Sequence, residues 1–137
     1  MRFLLTSLLM TSLAFADAKR AEESLRTKIF DGYAQGWSVR TATSVELGMG
    51  EHRVYLVTLY SGNEYRVLAA GDDAVSNIDV VLYDSAGQQV AADTTEDRDP
   101  VLTYKPAKSD SYYVAVHASK LNDPKVKGWV ATAVTYR

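Results

Sequence analysis

The chain has 137 residues, of which 47% are hydrophobic and 23% charged, and its formal net charge is −2. This composition is typical of one globular domain and excludes a disordered or collagen-like chain. The absence of cysteine excludes disulfides, thiol nucleophiles and cysteine-ligated metals, and the near-neutral charge argues against a nucleic-acid-binding protein.

The first sixteen residues have the pattern of a secretory signal peptide. Arg2 is their only charge, the apolar run Phe3–Phe15 follows, and Ala14 to Ala16 give the small-x-small order that signal peptidases recognise. About 13 such residues are too few to span a bilayer as a helix. We therefore predict cleavage after Ala16 and export to the bacterial periplasm or beyond, with no membrane attachment of the mature chain. The alternative is an uncleaved anchor or a buried apolar helix.

The segment that follows carries a helical pattern. Leu25, Ile29 and Tyr33 recur at every fourth residue and predict one apolar face. Asp17 is placed to cap the start of this helix, and Gly36 to help end it. An amphipathic helix of this kind can bind a partner or a membrane surface, but packing against its own sheet is the favoured interpretation.

From about Val39 the hydrophobic period changes to two residues. Turn residues separate short runs of this kind at intervals of 10 to 14 residues, which predicts an all-β, antiparallel, jelly-roll-like β-sandwich of about eight strands. The strands are expected near 39–47, 52–60, 65–69, 78–82, 90, 101–104, 112–116 and 128–136. The predicted divisions are a signal peptide at 1–16, an N-terminal helix at 17–36 packed on the domain, and the sandwich at 37–137. Strand order stays open, because short strands can be threaded in several ways.

Between Glu51 and Ala118, glycine turns alternate with tyrosine- and valine-rich strands in a recurring order. The residues concerned are Ser61–Val67, Asp79–Asp84, Gly87, Pro100 and Ser109–Val116. This order resembles that of bacterial pre-peptidase C-terminal (PPC) domains, although Asp110 stands where that family usually has glycine and the helix is not part of the module. The resemblance implies a jelly-roll-like sandwich with an accessory, non-catalytic role. PPC domains accompany secreted proteases and sometimes bind calcium or extracellular matrix.

Acidic residues are concentrated between Asp72 and Asp99, where eight acids stand against the single base Arg98. Calcium takes six to eight oxygen ligands, which suits carboxylates gathered in loops. The stronger interpretation is a solvated acidic edge that keeps the protein soluble, since the loop at 93–99 lacks the EF-hand spacing and its glycine. No cofactor is therefore expected, with calcium left open. The candidate calcium ligands are Asp72, Asp73, Asp79, Asp97 and Asp99.

Two tryptophans are candidate ligand-binding residues. Trp37 lies just after the helix and Trp129 follows Gly128 near the last strand. Exposed aromatic rings in a secreted sandwich would form a stacking platform for a glycan or a peptide. The favoured alternative is that both rings seal the helix onto the sheet.

The chain offers little for catalysis. It contains two histidines, His52 and His117, and no Gly-x-Ser-x-Gly elbow, P-loop or His-Glu-x-x-His helix. We therefore expect a non-enzyme, and the favoured function is an exported binding or interaction module for an unknown protein or glycan. A structural or envelope-maintenance protein, assembled through the helix, is the alternative. A small hydrolase built on carboxylates is the weakest of the three.

Overall fold

The computed structural model describes the backbone of residues 2–137 and the side chains of residues 18–137, so the side chains around the predicted cleavage site after Ala16 lie outside the described part. One helix precedes eight strands in that part of the chain. In chain order the elements are α1 (Arg2–Tyr33), β1 (Ser38–Leu47), β2 (His52–Leu59), β3 (Tyr65–Gly71), β4 (Val75–Tyr83), β5 (Gln89–Asp93), β6 (Val101–Tyr104), β7 (Asp110–Leu121) and β8 (Gly128–Tyr136).

The eight strands form two four-stranded antiparallel sheets. Sheet one has the order β1-β8-β3-β6 and sheet two the order β2-β7-β4-β5. This order, with strands from both halves of the chain in each sheet, is that of a jelly roll. The predicted all-β sandwich is therefore confirmed, and so are the tight turns, where Gly62 and Gly87 have φ angles of 92° and 82°.

The core lies between the sheets and follows the predicted two-residue period. Alternate side chains of β3, β4 and β7 point inward and are buried, and the strand faces expected from the sequence are confirmed. These inward residues are Tyr65, Val67, Ala69, Ile78, Val80, Leu82, Tyr112, Val114 and Val116.

The helix packs against the outer face of sheet one, as the sequence predicts. Its buried residues Ala21 and Leu25 contact a strip of small and aliphatic side chains on β3 and β8. Tyr33 was expected on the same face but is half exposed. At 3.6 residues per turn, eight residues rotate Tyr33 by about 80° from Leu25, so Gly32 faces the sheet instead. The strip on the sheet comprises Leu68, Ala70, Ala131 and Ala133.

Both ends of the helix can be compared with the prediction. Gly36 has a φ of 87° and ends it, while the N–H of Trp37 donates to the carbonyl of Gly32 at 3.0 Å and that of Gly36 to the carbonyl of Tyr33 at 3.1 Å. These two bonds form a Schellman motif. The predicted cap at Asp17 is wrong for this chain, because the helix has already begun at Arg2, in a segment without glycine or proline.

Within the described residues no helix is long and apolar enough to cross a membrane.

Candidate functional site

The outer faces of the two sheets differ. The helix contacts β8, β3 and β1, all in sheet one. On sheet two, the outward side chains of β2, β7 and β4 form two apolar rows, because Leu56 pairs with Tyr113 and Val54 with Ala115 across neighbouring strands. We call this surface the open face. It consists of Val54, Leu56, Val81, Tyr83, Tyr113 and Ala115.

The most exposed part of the open face is its β2 edge, whereas Ala115 on the neighbouring strand β7 is 6% exposed. Leu56 is 66% exposed, Val54 47% and Tyr113 38%. Aliphatic and aromatic side chains that are adjacent on paired strands and exposed to this degree are more than scattered surface hydrophobics, and they mark an interaction site. The open face is therefore the candidate functional site.

A polar row borders one end of the open face. His52 and His117 are paired across β2 and β7 with 4.9 Å between ring centroids, and Asp79 lies opposite His117 on β4. Among the described side chains, neither imidazole forms a hydrogen bond with a hydroxyl or a carboxylate, so the base–nucleophile contact of a Ser-His-Asp site is missing there. The row gives the open face an ionisable border.

The five candidate calcium ligands are distributed over several places. Asp72 is buried and accepts hydrogen bonds from the N–H groups of Ala74 and Trp129, at 3.0 Å each. Asp73 forms ion pairs with Arg20 of the helix and with Arg98. Among the side chains of residues 18–137, no three His, Asp or Glu groups lie close enough together to hold one metal ion.

Asp79 lies on β4, whereas Asp97 and Asp99 belong to the polar loop after β5. Asp97 accepts a hydrogen bond from the N–H of Asp99 at 2.9 Å, and Lys28 of the helix donates to the carbonyl of Asp99 at 2.7 Å. Burial lowers the pKa of Lys28, although Asp99 and Asp97 oppose that effect. Lys28 therefore joins this loop to the helix, a contact that the sequence analysis did not predict.

The two tryptophans do not form a stacking platform. Trp37 is only 4% exposed, and its ring contacts the guanidinium groups of Arg66 and Arg137, 4.3 Å and 4.6 Å from its centroid. Trp129 is partly buried against the helix–sheet cluster. This burial agrees with the favoured alternative, in which both rings seal the helix onto sheet one, and a ligand-binding role for either ring stays a prediction. Burial, and then the neighbouring Arg137, lower the pKa of Arg66.

Sequence inspection missed the open face, although a signal for it exists. In β2 the run Val54–Val57 is continuously apolar, whereas an antiparallel strand with one solvated face normally alternates apolar and polar residues. A strand whose two faces are both apolar is normally covered on both faces. In β2 the core covers Val57, whereas Leu56 is exposed to solvent.

No family model matches the chain, and no curated protein sequence does. Solved structures do share its fold. The pre-peptidase C-terminal domain of a collagenase from Bacillus anthracis is 17% identical over 70% of this chain and 89% of that domain, with a TM-score of 0.51. PliG, a periplasmic inhibitor of g-type lysozyme from Aeromonas hydrophila, is 11% identical over 71% of this chain and 85% of that protein, with a TM-score of 0.52. The fold is PPC-like.

Asp110 shows how this PPC-like fold accommodates its departure from the family's turn. No described residue other than glycine has a positive φ, so this position does not require glycine here. Asp110 accepts hydrogen bonds from the hydroxyl of Ser85 and the N–H of Ser111, both at 2.8 Å. Both bonds lower the pKa of Asp110, and the bond from Ser85 has the larger effect. Asp110 therefore ties the turn after β4 to the start of β7.

Proposed function

We propose that this chain is an exported, non-catalytic module that binds a protein partner through the open face. The observation that carries the proposal is the exposure of Val54, Leu56 and Tyr113 side by side on two paired strands. The corresponding face of sheet one is covered by the helix of the same chain. Docking a partner on sheet two would remove a similar apolar surface from water, and such burial is the main favourable term in protein association.

The chemistry of the open face favours a protein over a glycan. Its most exposed residues, Leu56 and Val54, are aliphatic and offer neither a flat ring nor a hydrogen bond. Glycan sites combine aromatic platforms with placed polar groups, and the two tryptophans that would suit that role are occupied at the helix. The cores of protein interfaces are more apolar than the surrounding surface, enriched in aromatic side chains such as tyrosine, and poor in charge.

Export is supported from two directions. The leader pattern of residues 1–16 predicts secretion. Solved structures that share the fold include a domain of a collagenase and a periplasmic lysozyme inhibitor. The second of these is named for its action on another protein, and an inhibitory or adaptor role of the same general kind fits a free-standing module with an apolar face.

A structural role through self-assembly is the second candidate, and one pair of residues favours it. Phe30 and Tyr33 pack edge to face on the solvent side of the helix, with 5.6 Å between ring centroids, and both are exposed. If this pair joins two copies, Phe30→Glu will convert a dimer into a monomer in light scattering. A monomeric wild type would remove this candidate.

The proposed function can be tested by site-specific photo-crosslinking in cells of the source organism. A benzoyl-phenylalanine at position 56 should yield one discrete adduct with another protein after irradiation. Val126 provides a matched control, because it is also aliphatic and is 49% exposed but lies away from the open face. The same crosslinker at position 126 should yield no such adduct.

A second substitution makes the crosslinking result specific. Val54→Asp places a charge inside the open face and should abolish the adduct formed from position 56, whereas Val126→Asp should leave it unchanged. Equal adducts from positions 56 and 126, no adduct from either, or an adduct that survives Val54→Asp would each contradict binding through the open face.

A further inference from the structure

β1 and β2 are long edge strands that face each other on one side of the sandwich. β1 pairs only with β8, and β2 only with β7. They contain ten and eight residues, whereas the edge strands on the opposite side, β5 and β6, contain five and four. Proteins protect free edges with short strands, charged side chains, proline or bulges. β5 and β6 are short, but β1 and β2 are long and contain neither lysine nor proline. β1 has a bulge between Val39 and Thr41, whereas β2 keeps a continuous register with β7.

A cavity of about 260 Å³ lies between these two edges, and we call it the slot. Its floor is apolar except for the buried hydroxyl of Thr132, which has no hydrogen-bond partner among the described residues. At its mouth, Thr41 and Thr43 occupy alternate positions of β1 on the core side and are exposed. The slot is lined by Thr41, Thr43, Val54, Tyr55, Leu56, Val57, Val114, Thr132 and Val134.

Contacts between β1 and β2 define the length of the slot. At one end the chain turns from β1 into β2 beside the buried Leu47. At the other end the guanidinium of Arg40 lies over the ring of Tyr60, 5.4 Å from its centroid. Between these ends, Tyr55 of β2 lies near Thr43 of β1. Burial raises the pKa of Tyr55, and the neighbouring Arg53 and Thr43 oppose that effect.

The register of β2 directs backbone groups of known residues toward the slot. Gly50 has a φ of 73°, its N–H donates to the carbonyl of Ala118, and the N–H of Ala118 donates to the carbonyl of Glu51. This is the pattern of a G1 bulge. Because hydrogen-bonded and non-hydrogen-bonded pairs alternate along an antiparallel ladder, Val54 and Leu56 turn their N–H and C=O groups away from β7 and toward the free edge.

Positive charge lies near both ends of the slot. Arg40 is at the end formed with Tyr60, and Arg53 shares the inner face of β2 with Tyr55. The charge of Arg53 lowers the pKa of Tyr55, which opposes the raising effect of burial. Within residues 18–137, neither arginine forms a salt bridge with a carboxylate. A ligand with acidic groups at its two ends would complement them.

We propose that the slot binds an extended segment of a partner protein, which pairs with the free edge of β2 as an added strand. Alternate apolar side chains of that segment enter the slot, and acidic residues flank it beside Arg40 and Arg53. Its other side chains extend the open face next to Val54 and Leu56. The proposal deepens the proposed function by naming the element of the partner that is recognised, and it uses the β-augmentation mode of peptide recognition.

The size of the slot suits this occupant. An apolar cavity of about 150 Å³ holds one benzene ring, so the 260 Å³ of the slot corresponds to about ten carbon atoms on that scale. That is close to the side-chain volume of three valines, which at alternate positions span about five residues of an extended segment.

Charge argues for a partner rather than a second copy of β2. The sequence of β2 contains a histidine and an arginine and no acid. A second β2 would therefore bring further positive charge to the arginines at the slot instead of the carboxylates that complement them. The experiment must therefore distinguish binding of a partner segment from pairing of the β2 edges of two copies.

The test uses a displayed library of random nine-residue peptides selected on the full chain, which is expressed with its own leader and purified. We expect enriched peptides to share alternating apolar residues with acidic residues at both ends. A labelled enriched peptide is then titrated against protein variants by fluorescence anisotropy. Enrichment of peptides without this pattern, or of none, would overturn the proposal.

Two variants address the slot through different physics. Val54→Pro removes an N–H that faces the free edge without removing a bond to β7, a position at which edge strands tolerate proline. Thr43→Trp fills the mouth of the slot from the other strand. Each should weaken peptide binding by about tenfold or more. Val54→Ala, which keeps the N–H but shortens a side chain that lines the slot, should weaken it less than Val54→Pro, and Val126→Ala, outside the slot lining, should leave it unchanged. Circular dichroism and thermal melts establish that each variant is folded.

The remaining outcomes are also decisive. If Thr43→Trp and a folded Val54→Pro bind the peptide as the wild type does, the slot is not the site. A wild type that dimerises in light scattering, and becomes monomeric with Val54→Pro, would show that the edge binds a second copy and would overturn the proposal. The open face is judged separately, since crosslinking from position 56 that is unaffected by Thr43→Trp would support the proposed function while contradicting the slot.

Discussion

The carboxylate of Asp72 accepts a hydrogen bond from the backbone N–H of Trp129 at 3.0 Å, across 57 residues of sequence. The same carboxylate accepts the N–H of Ala74, two residues further along, at 3.0 Å. Asp72 is 2% exposed, so these bonds offset the cost of burying its charge. This acid therefore fixes the turn after β3 to the start of β8.

Asp72→Ala should lower the free energy of unfolding by about 3 kcal/mol, since two buried N–H groups lose a charged acceptor. Urea denaturation monitored by circular dichroism measures the loss. Asp73→Ala is the matched control: its carboxylate is exposed and paired with Arg20 and Arg98 at the surface, so its removal should cost less than about 1 kcal/mol. Equal losses from the two substitutions would contradict the structural role of Asp72.

Trp37→Ala should be among the most destabilising substitutions, at about 3–5 kcal/mol, because the ring is buried between two guanidinium groups at the helix–sheet junction. Tyr33→Ala, which truncates a half-exposed ring four residues earlier, should change stability by less than about 1 kcal/mol. The same urea titration serves both variants. A small effect at position 37 would mean that the stack does not hold the helix in place.

Calcium should not change the melting temperature. The carboxylates of Asp72, Asp73 and Asp97 are used in separate hydrogen bonds and ion pairs, and no three of the described acidic or histidine side chains converge on one point. A calcium site filled at a hundredfold excess over its Kd would add about 2.7 kcal/mol of stability, which shifts the melt by several degrees. Thermal unfolding in calcium and in chelator decides the matter, and a rise of that size would restore the acids as ligands.

Alkaline pH should destabilise the fold through Tyr112. Burial, followed by the neighbouring hydroxyl of Tyr104, raises the pKa of Tyr112 to about 12, whereas an unfolded tyrosine ionises with a pKa near 10. The unfolded chain therefore releases this proton first, so the contribution is complete below pH 10 and is lost as the pH rises toward 12. Unfolding free energies measured from pH 9 to 12 should show a shallower decline for Tyr112→Phe. Tyr60→Phe, at an exposed ring, should follow the wild type.

Much of the local structure could be predicted from the sequence. The two-residue period of Ile78, Val80 and Leu82 identifies both the strand and its buried face, because neighbouring side chains of a strand must point to opposite sides of the sheet. The glycine at position 36 predicts the end of the helix in the same local way, since few other residues adopt a positive φ. These properties depend on each residue and its near neighbours alone.

The candidate site could not be predicted in this way. Leu56 and Val57 are adjacent and similarly apolar, and only the packing of the helix on sheet one rather than sheet two leaves Leu56 exposed. The reverse holds for Trp37, which the sequence offered as a ligand platform and the fold encloses between Arg66 and Arg137. Exposure depends on which distant element covers a side chain.

The sequence by itself determined the class of fold, the positions of the strands and the existence of an amphipathic helix. The tertiary structure alone decided the strand order, the sheet that the helix covers, and the two long edges that border the slot. The physical reason is that periodicity and turn chemistry act over a few residues, whereas strand pairing and the covering of a face join residues far apart in the chain, such as Asp72 and Trp129.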